Sequence, residues 1–145
     1  MKKILIVEDD RDLNESIAKF LTMRFFECVS VFDGQEAIDL IYEKHFDIII
    51  LDVKLPSMNG FSVAKEIRSF SNVPIIFLTS LSSQEYIERG FLQGGDDYIT
   101  KPFSLNELYL RINAIIKRVY KNETIITISS DTYFNLDNQT LYKKK

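Results

Sequence analysis

The stretch IIILDVKLP, residues 48–56, decides the fold. Four aliphatic residues run straight into Asp52, and Pro56 follows four residues later. A short continuous apolar run closed by a turn signal predicts a strand buried on both faces, so Asp52 sits where a core strand emerges. Working outward, the same pattern recurs. KILIV, ECVSVF, PIIFL and DYIT predict four more strands. Helical periodicity runs from about Asp10 to Phe25, over GQEAIDLIYEK, GFSVAKEIRSF and SQEYIERGFL, and from Ser104 to about Tyr120. Five strands alternating with five helices predict an α/β domain with a mainly parallel sheet. The last helix carries an apolar stripe of Leu105, Leu108, Ile112, Ile115, Ile116 and Val119, and Ser104 with Glu107 forms a capping box at its start. Asp33-Gly34, Asn59-Gly60 and Gly94-Gly95 punctuate the divisions between elements.

The 145 residues suffice for one domain with a proper core and a fragment of a second. With 46% hydrophobic and 27% charged residues, the composition is that of a soluble globular protein. No apolar run approaches the roughly 18 residues needed to cross a bilayer, and MKKILIVEDD lacks a signal-peptide cleavage region, so a cytoplasmic protein without a membrane partner is expected. The single cysteine, Cys28, lies in an apolar stretch with no adjacent histidine or basic cluster, which predicts a buried, inert thiol and excludes disulfide chemistry. A net charge of -3 offers nucleic acid no global attraction, although the terminal KKK is locally basic. After Tyr120 the composition turns to threonine, tyrosine and isoleucine around a turn-like Asp137-Asn138, predicting short antiparallel strands. The chain therefore divides into a domain over 1–120 and a β fragment over 121–145 too short for its own core, which either packs on the first domain or opens a second.

Reactive side chains follow the apolar strands. ILIV leads into Glu8 and Asp9, IIIL into Asp52, IIFL into Thr79 and Ser80, and YIT into Lys101 and Pro102. Open α/β sheets bind ligands outside the carboxyl ends of their strands, so these groups land on one rim. Two carboxylates roughly 4 Å apart repel by about 4 kcal/mol even at an effective dielectric of 20, so Glu8, Asp9 and Asp52 need a counter-charge. Lys101 supplies one. Hard oxygen ligands without histidine or thiolate favour a magnesium-like cation as another. Asp10 and Asp12 read instead as solvated acids at the N-terminus of the next helix. A carboxylate beside a divalent cation, with a hydroxyl and an ammonium opposite, suits a phosphoryl group, and Asp52 is the candidate nucleophile. Taken singly, Thr79 also reads as a helix cap and Lys101 as a stem covering apolar surface.

Glu8-Asp9, Asp52-x-x-x-Pro56 with Gly60 in the following loop, Thr79 and Lys101-Pro102 resemble the receiver domain of two-component response regulators, over residues 1 to about 120. The resemblance implies a flavodoxin-like (βα)5 doubly wound parallel sheet of order 2-1-3-4-5, with a short C-terminal β fragment beyond it. It implies that Asp52 accepts a phosphoryl group from a sensor histidine kinase. Asp9, Asp52 and the main-chain carbonyl of Lys54 would bind Mg²⁺, with Glu8 acting through water. Thr79 and Lys101 would contact the phosphoryl oxygens, Tyr98 matches the switch aromatic paired with Thr79, and the Lys101-Pro102 bond is expected to be cis. Lys54 and Leu81 stand where the family tunes dephosphorylation. Such a domain is a signalling switch, not a turnover enzyme on an external substrate.

The tail resembles the OmpR/PhoB group, whose receivers precede a winged-helix DNA-binding domain that opens with a small antiparallel sheet. Residues 121–145 would then be the linker and opening strands of that domain, and DNA would be read through a part beyond them. Active receivers of the group form homodimers through the fourth helix, fifth strand and fifth helix, using interchain ion pairs. Asp97 and Arg111 match one such pair. Glu107 is present, but its usual basic partner position is Ile87, and another commonly charged pair stands as Leu92 and Asn113. A stand-alone receiver acting through protein contact is the competing expectation. A haloacid-dehalogenase-type phosphatase would need an aspartate at position 54, which is lysine, and a flavodoxin relative would need a phosphate loop where the acids stand.

Overall fold

The computed structural model describes residues 1–80 and 95–120. By its internal contacts the chain forms two compact units, Met1–Arg111 and Ile112–Lys145. The first contains β1 (Lys3–Val7), α1 (Arg11–Thr22), β2 (Glu27–Val31), α2 (Gly34–Glu43), β3 (Ile48–Asp52), α3 (Gly60–Arg68), β4 (Ile75–Thr79) and β5 (Asp97–Thr100). The last helix, Leu105–Val119, begins in this unit, and its final turns are the described part of the second. The helix expected over 83–92, with Leu81, Ile87, Leu92 and Gly94, lies outside the described residues, as do the expected strands after Tyr120.

All four strand pairings are parallel and their order is β2-β1-β3-β4-β5, the flavodoxin-like doubly wound arrangement. The apolar runs explain it. Every residue of β3 and β4 is buried, because helices cover both faces of the sheet. Alternate residues serve alternate faces: Leu5, Val7, Ile49, Leu51 and Phe77 join one apolar cluster with Ile38 and Ile41 of α2 and Phe61, Val63 and Ile67 of α3. Ile4, Ile6, Ile48, Ile50 and Ile76 are fully buried on the opposite face. There α1 meets the last helix, where the Tyr109 ring stands edge-on to Phe20 and Phe26 at 6.3 Å. Edge strand β2 is half-buried, and so is Cys28, whose thiol burial pushes up from its usual range.

Short polar residues start the helices. Asp10 accepts from Leu13 N at 3.1 Å, Asp33 from Glu36 N at 2.8 Å, Asn59 from Phe61 N at 2.7 Å and Ser104 from Glu107 N at 3.0 Å. Periodicity predicts α1 to Phe25, but the helix ends at Thr22. Phe25 has φ 70, Phe26 N donates to Leu21 O at 3.2 Å and Phe25 N to Thr22 O at 3.1 Å, the bonding of a Schellman closure with a left-handed residue at its turn. The Phe25 ring, at the right spacing to be buried, is therefore 80% exposed. Among the described residues no helix is long and apolar enough to cross a membrane.

Candidate functional site

Glu8 leaves the end of β1 and is 1% exposed. Its Oε1 accepts from Lys101 Nζ at 2.7 Å and its Oε2 from Asp10 N at 3.1 Å. Asp52, the last residue of β3, is 3% exposed; its Oδ2 accepts from the same Nζ at 3.2 Å and its Oδ1 from Lys54 N at 3.3 Å. Asp9 is exposed on the rim, and one carboxylate oxygen from each of Glu8, Asp9 and Asp52 lies within 4.8 Å of the others. Thr79 ends β4, wholly buried. Its carbonyl accepts from Lys101 N at 2.7 Å, so the lysine backbone is tied to the neighbouring strand before its side chain reaches across the rim. The Lys101-Pro102 bond is cis, as expected. Lys54 is exposed, and its backbone bridge to Asn59 closes the loop after β3.

The charges are unbalanced. Burial pushes the Glu8 carboxyl above the usual glutamate range; its hydrogen bond to Lys101 opposes this and neighbouring Asp52 reinforces it. Burial pulls Lys101 down, but the hydrogen bond to Glu8 and the charge of Asp52 outweigh it, so the ammonium is held above the usual lysine range. Partial burial and then Glu8 raise Asp9 as well. Among the described residues three carboxylates converge while the Lys101 ammonium bonds two of them, and the converging donors are all oxygen: the set that suits a small hard dication.

Two residues matter here in ways the sequence pattern does not reveal. Gly60 approaches the strand end so closely that a Cβ would lie 2.3 Å from Asp52 O, and its N–H donates to Val53 O at 2.7 Å. Asn14 of α1 is wholly buried, and its Nδ2 donates to Glu8 O and to Val31 O, each at 3.0 Å. The available signal for Asn14 was a polar residue at the head of the buried stripe Asn14, Ile17, Leu21. A groove of about 310 Å³ lined by Tyr42, His45, Phe46 and Phe70 lies at the opposite, amino end of the strands and touches none of these groups.

Residues 4–113 match the family model described as the response regulator receiver domain. This chain belongs to the response regulator receiver family. The receiver is 43% identical over 129 residues to the transcriptional regulatory protein CiaR of Streptococcus pneumoniae, covering 88% of this chain and 57% of that one. Its structure is similar to the Francisella response regulator 1452 receiver domain, with TM-score 0.78 and 36% identity over 81% of this chain and 98% of that one. It is also similar to TrrA of Thermotoga maritima, solved in complex with Mg²⁺-BeF, with TM-score 0.72 and 30% identity over 79% and 98% of the two chains. The receiver spans about half the length of the curated relatives it matches.

In the receiver the Tyr98 ring is 9% exposed and packs on Phe77 at 6.4 Å, on the face that Phe77 shares with Thr79 two residues along β4. It is thus already turned inward. Arg111 Nη1 bonds Asp97 Oδ1 of the same chain at 2.8 Å, and Nη2 lies 3.3 Å from Glu107 Oε2. The bond to Asp97 holds the guanidinium above its usual range.

Proposed function

We propose that this receiver is the phosphoacceptor of a two-component response regulator and takes a phosphoryl group from a sensor histidine kinase onto Asp52. Family membership supports reading it as a signalling switch rather than a turnover enzyme. The observation that carries the proposal is Lys101, whose ammonium reaches Glu8 at 2.7 Å and Asp52 at 3.2 Å at the carboxyl ends of the strands. An Asp52 carboxylate oxygen attacks phosphorus. The bond from phosphorus to the donor histidine nitrogen breaks, and the electron pair leaves on the imidazole. Lys101 stands ready to neutralise phosphoryl oxygens, and the Thr79 hydroxyl to donate to one of them. Asp9, Asp52 and the Lys54 main-chain carbonyl would hold Mg²⁺, with Glu8 acting through water; the three oxygens within 4.8 Å support that fit. When bound, the ion offsets carboxylate repulsion and charge on the transferring group.

Phosphorylation replaces one charge with a more highly charged group bearing extra acceptors. Thr79 moving toward them vacates space on the face occupied by Tyr98 and Phe77, so the ring, already packed inward on Phe77, is held there more strongly. Carrying such a switch from 1:99 to 99:1 takes roughly 5.5 kcal/mol, so a weaker coupling yields a mixed population. The output is a homodimer through residues 83–92, β5 and the last helix, in the manner of the OmpR/PhoB group. Exchanging the intrachain Asp97–Arg111 pair for an interchain one would contribute. Residues 1–120 form the switch, and residues 121–145 open a winged-helix domain whose remainder binds DNA. The naming of its relatives as transcriptional regulatory proteins, and the half of their length left unmatched, support this.

The test is intact mass after incubation with Mg²⁺ and a small phosphodonor. Wild type is expected to gain one phosphoryl mass and Asp52→Ala none. No gain in wild type, or an equal gain in Asp52→Ala, refutes the assignment.

A further inference from the structure

We propose that Asn14 is a positioning residue for the cation-binding acids: from α1 it clamps the peptide plane that joins Glu8 to Asp9. The inference rests on the magnesium reading above and deepens it. Asn14 Nδ2 donates to Glu8 O and to Val31 O, both at 3.0 Å, while Glu8 N donates to Val31 O at 3.3 Å. One amide thus pins the end of β1 to the end of β2. The carbonyl it holds belongs to the Glu8-Asp9 peptide bond. That bond is planar, so fixing its oxygen fixes the plane from which both acid-bearing Cα atoms depart. The Glu8 carboxylate is then carried to Lys101 and Asp10 N, and Asp9 to the rim.

Packing alone argues against an asparagine here. Asn14 heads the buried stripe completed by Ile17 and Leu21, is 0% exposed, and leaves its Oδ1 without a hydrogen-bond partner among the described residues. A helix-interior asparagine is a weaker helix former than leucine, and a buried unpaired acceptor is unfavourable. Leucine would serve the core better. What asparagine adds is an amide that donates to the backbone of the acid loop at Glu8 O and to the end of β2 at Val31 O.

The decisive measurement is Mg²⁺ affinity by calorimetry, on wild type, Asn14→Leu, and Ile17→Ala as a destabilised control one turn along the same helix. Each is paired with a melting curve without Mg²⁺ and with amide exchange at Asp10 N–H, which donates to Glu8. Asn14→Leu is expected to bind Mg²⁺ about tenfold more weakly and to exchange Asp10 N–H faster. Ile17→Ala is expected to melt earlier yet keep its Mg²⁺ affinity within about twofold. If leucine prevents folding, Asn14→Ala is expected to give the same loss of affinity. Unchanged affinity in the folded Asn14 variant, or an equal loss in Ile17→Ala, overturns the positioning role and leaves the magnesium site standing. Wild type that does not bind Mg²⁺ overturns both.

Discussion

Replacing Gly60 with alanine tests the link between the strand end and its loop. The added Cβ would lie 2.3 Å from Asp52 O, 2.7 Å from Val53 Cα and 3.0 Å from Asp52 C. Ordinary contact begins at 3.4 Å, so the loop must open by about 1 Å. It has little freedom to do so, because all three atoms are backbone, β3 is paired on both sides, and Val53 N donates to Leu78 O at 2.9 Å. Overpacking of this kind costs about 1–3 kcal/mol, and losing the 2.7 Å bond from Gly60 N to Val53 O costs about 1 kcal/mol more. Alanine's better helix propensity recovers less than about 1 kcal/mol at a first helical residue. The net loss is about 2–3 kcal/mol, a fall in Tm of about 8–12 °C. Gly34→Ala is the comparison: its Cβ would lie 2.6 Å from Val63 Cγ2 and meet side-chain atoms that can give, so the loss is about half and phosphorylation of Asp52 is unaffected. Thermal melts followed by circular dichroism, with phosphoryl incorporation by intact mass, read both effects. A Gly60→Ala protein melting within about 2 °C of wild type and phosphorylated at its rate refutes the steric reasoning.

Three further outcomes are expected. Burial holds Glu8 above the usual glutamate range, so the folded chain keeps that proton better than the unfolded one; the stability this confers is complete at low pH and lost as pH rises through the raised value. The difference in stability between Glu8→Gln and wild type should therefore grow in favour of the variant from the ordinary glutamate range toward neutrality, and a difference in urea midpoint that stays flat with pH argues otherwise. Lys101→Met leaves the buried carboxylates of Glu8 and Asp52 without their shared cation and should cost about 3 kcal/mol at neutral pH, at the low end for a broken buried pair because the lysine side chain is 25% exposed. That deficit should shrink on acidification, and persistence of the full deficit in acid would locate the cause in lost packing. Phe25→Gly relieves a left-handed φ of 70 at an exposed position and should stabilise by about 0.5–1 kcal/mol, whereas Phe25→Ala, which keeps the penalty, should not; a lower Tm for the glycine variant contradicts the turn assignment.

Over the described residues, the chain by itself determined the alternation of strands and helices, the ends of the strands, and the residues standing at those ends. These are written in local pattern: apolar runs such as Ile48–Leu51 set burial, and Asp33, Asn59 and Ser104 start helices through bonds to residues two or three positions on. Local pattern also has its failure at Phe25, to which helical periodicity extends α1, whereas a left-handed turn ends the helix at Thr22. The sequence offers Lys101 as a counter-charge for the strand-end acids, but only the tertiary structure decided which acids it bonds, Glu8 across 93 residues and Asp52 across 49, and that Arg111 takes Asp97 of its own chain. Asn14 reaching Glu8 and Val31, and Gly60 pressed against Asp52, likewise exist only once parallel strands lie in register with helices packed on them. Propensity and periodicity act over a few residues, whereas these contacts depend on sheet order and register, which are properties of the whole packed domain.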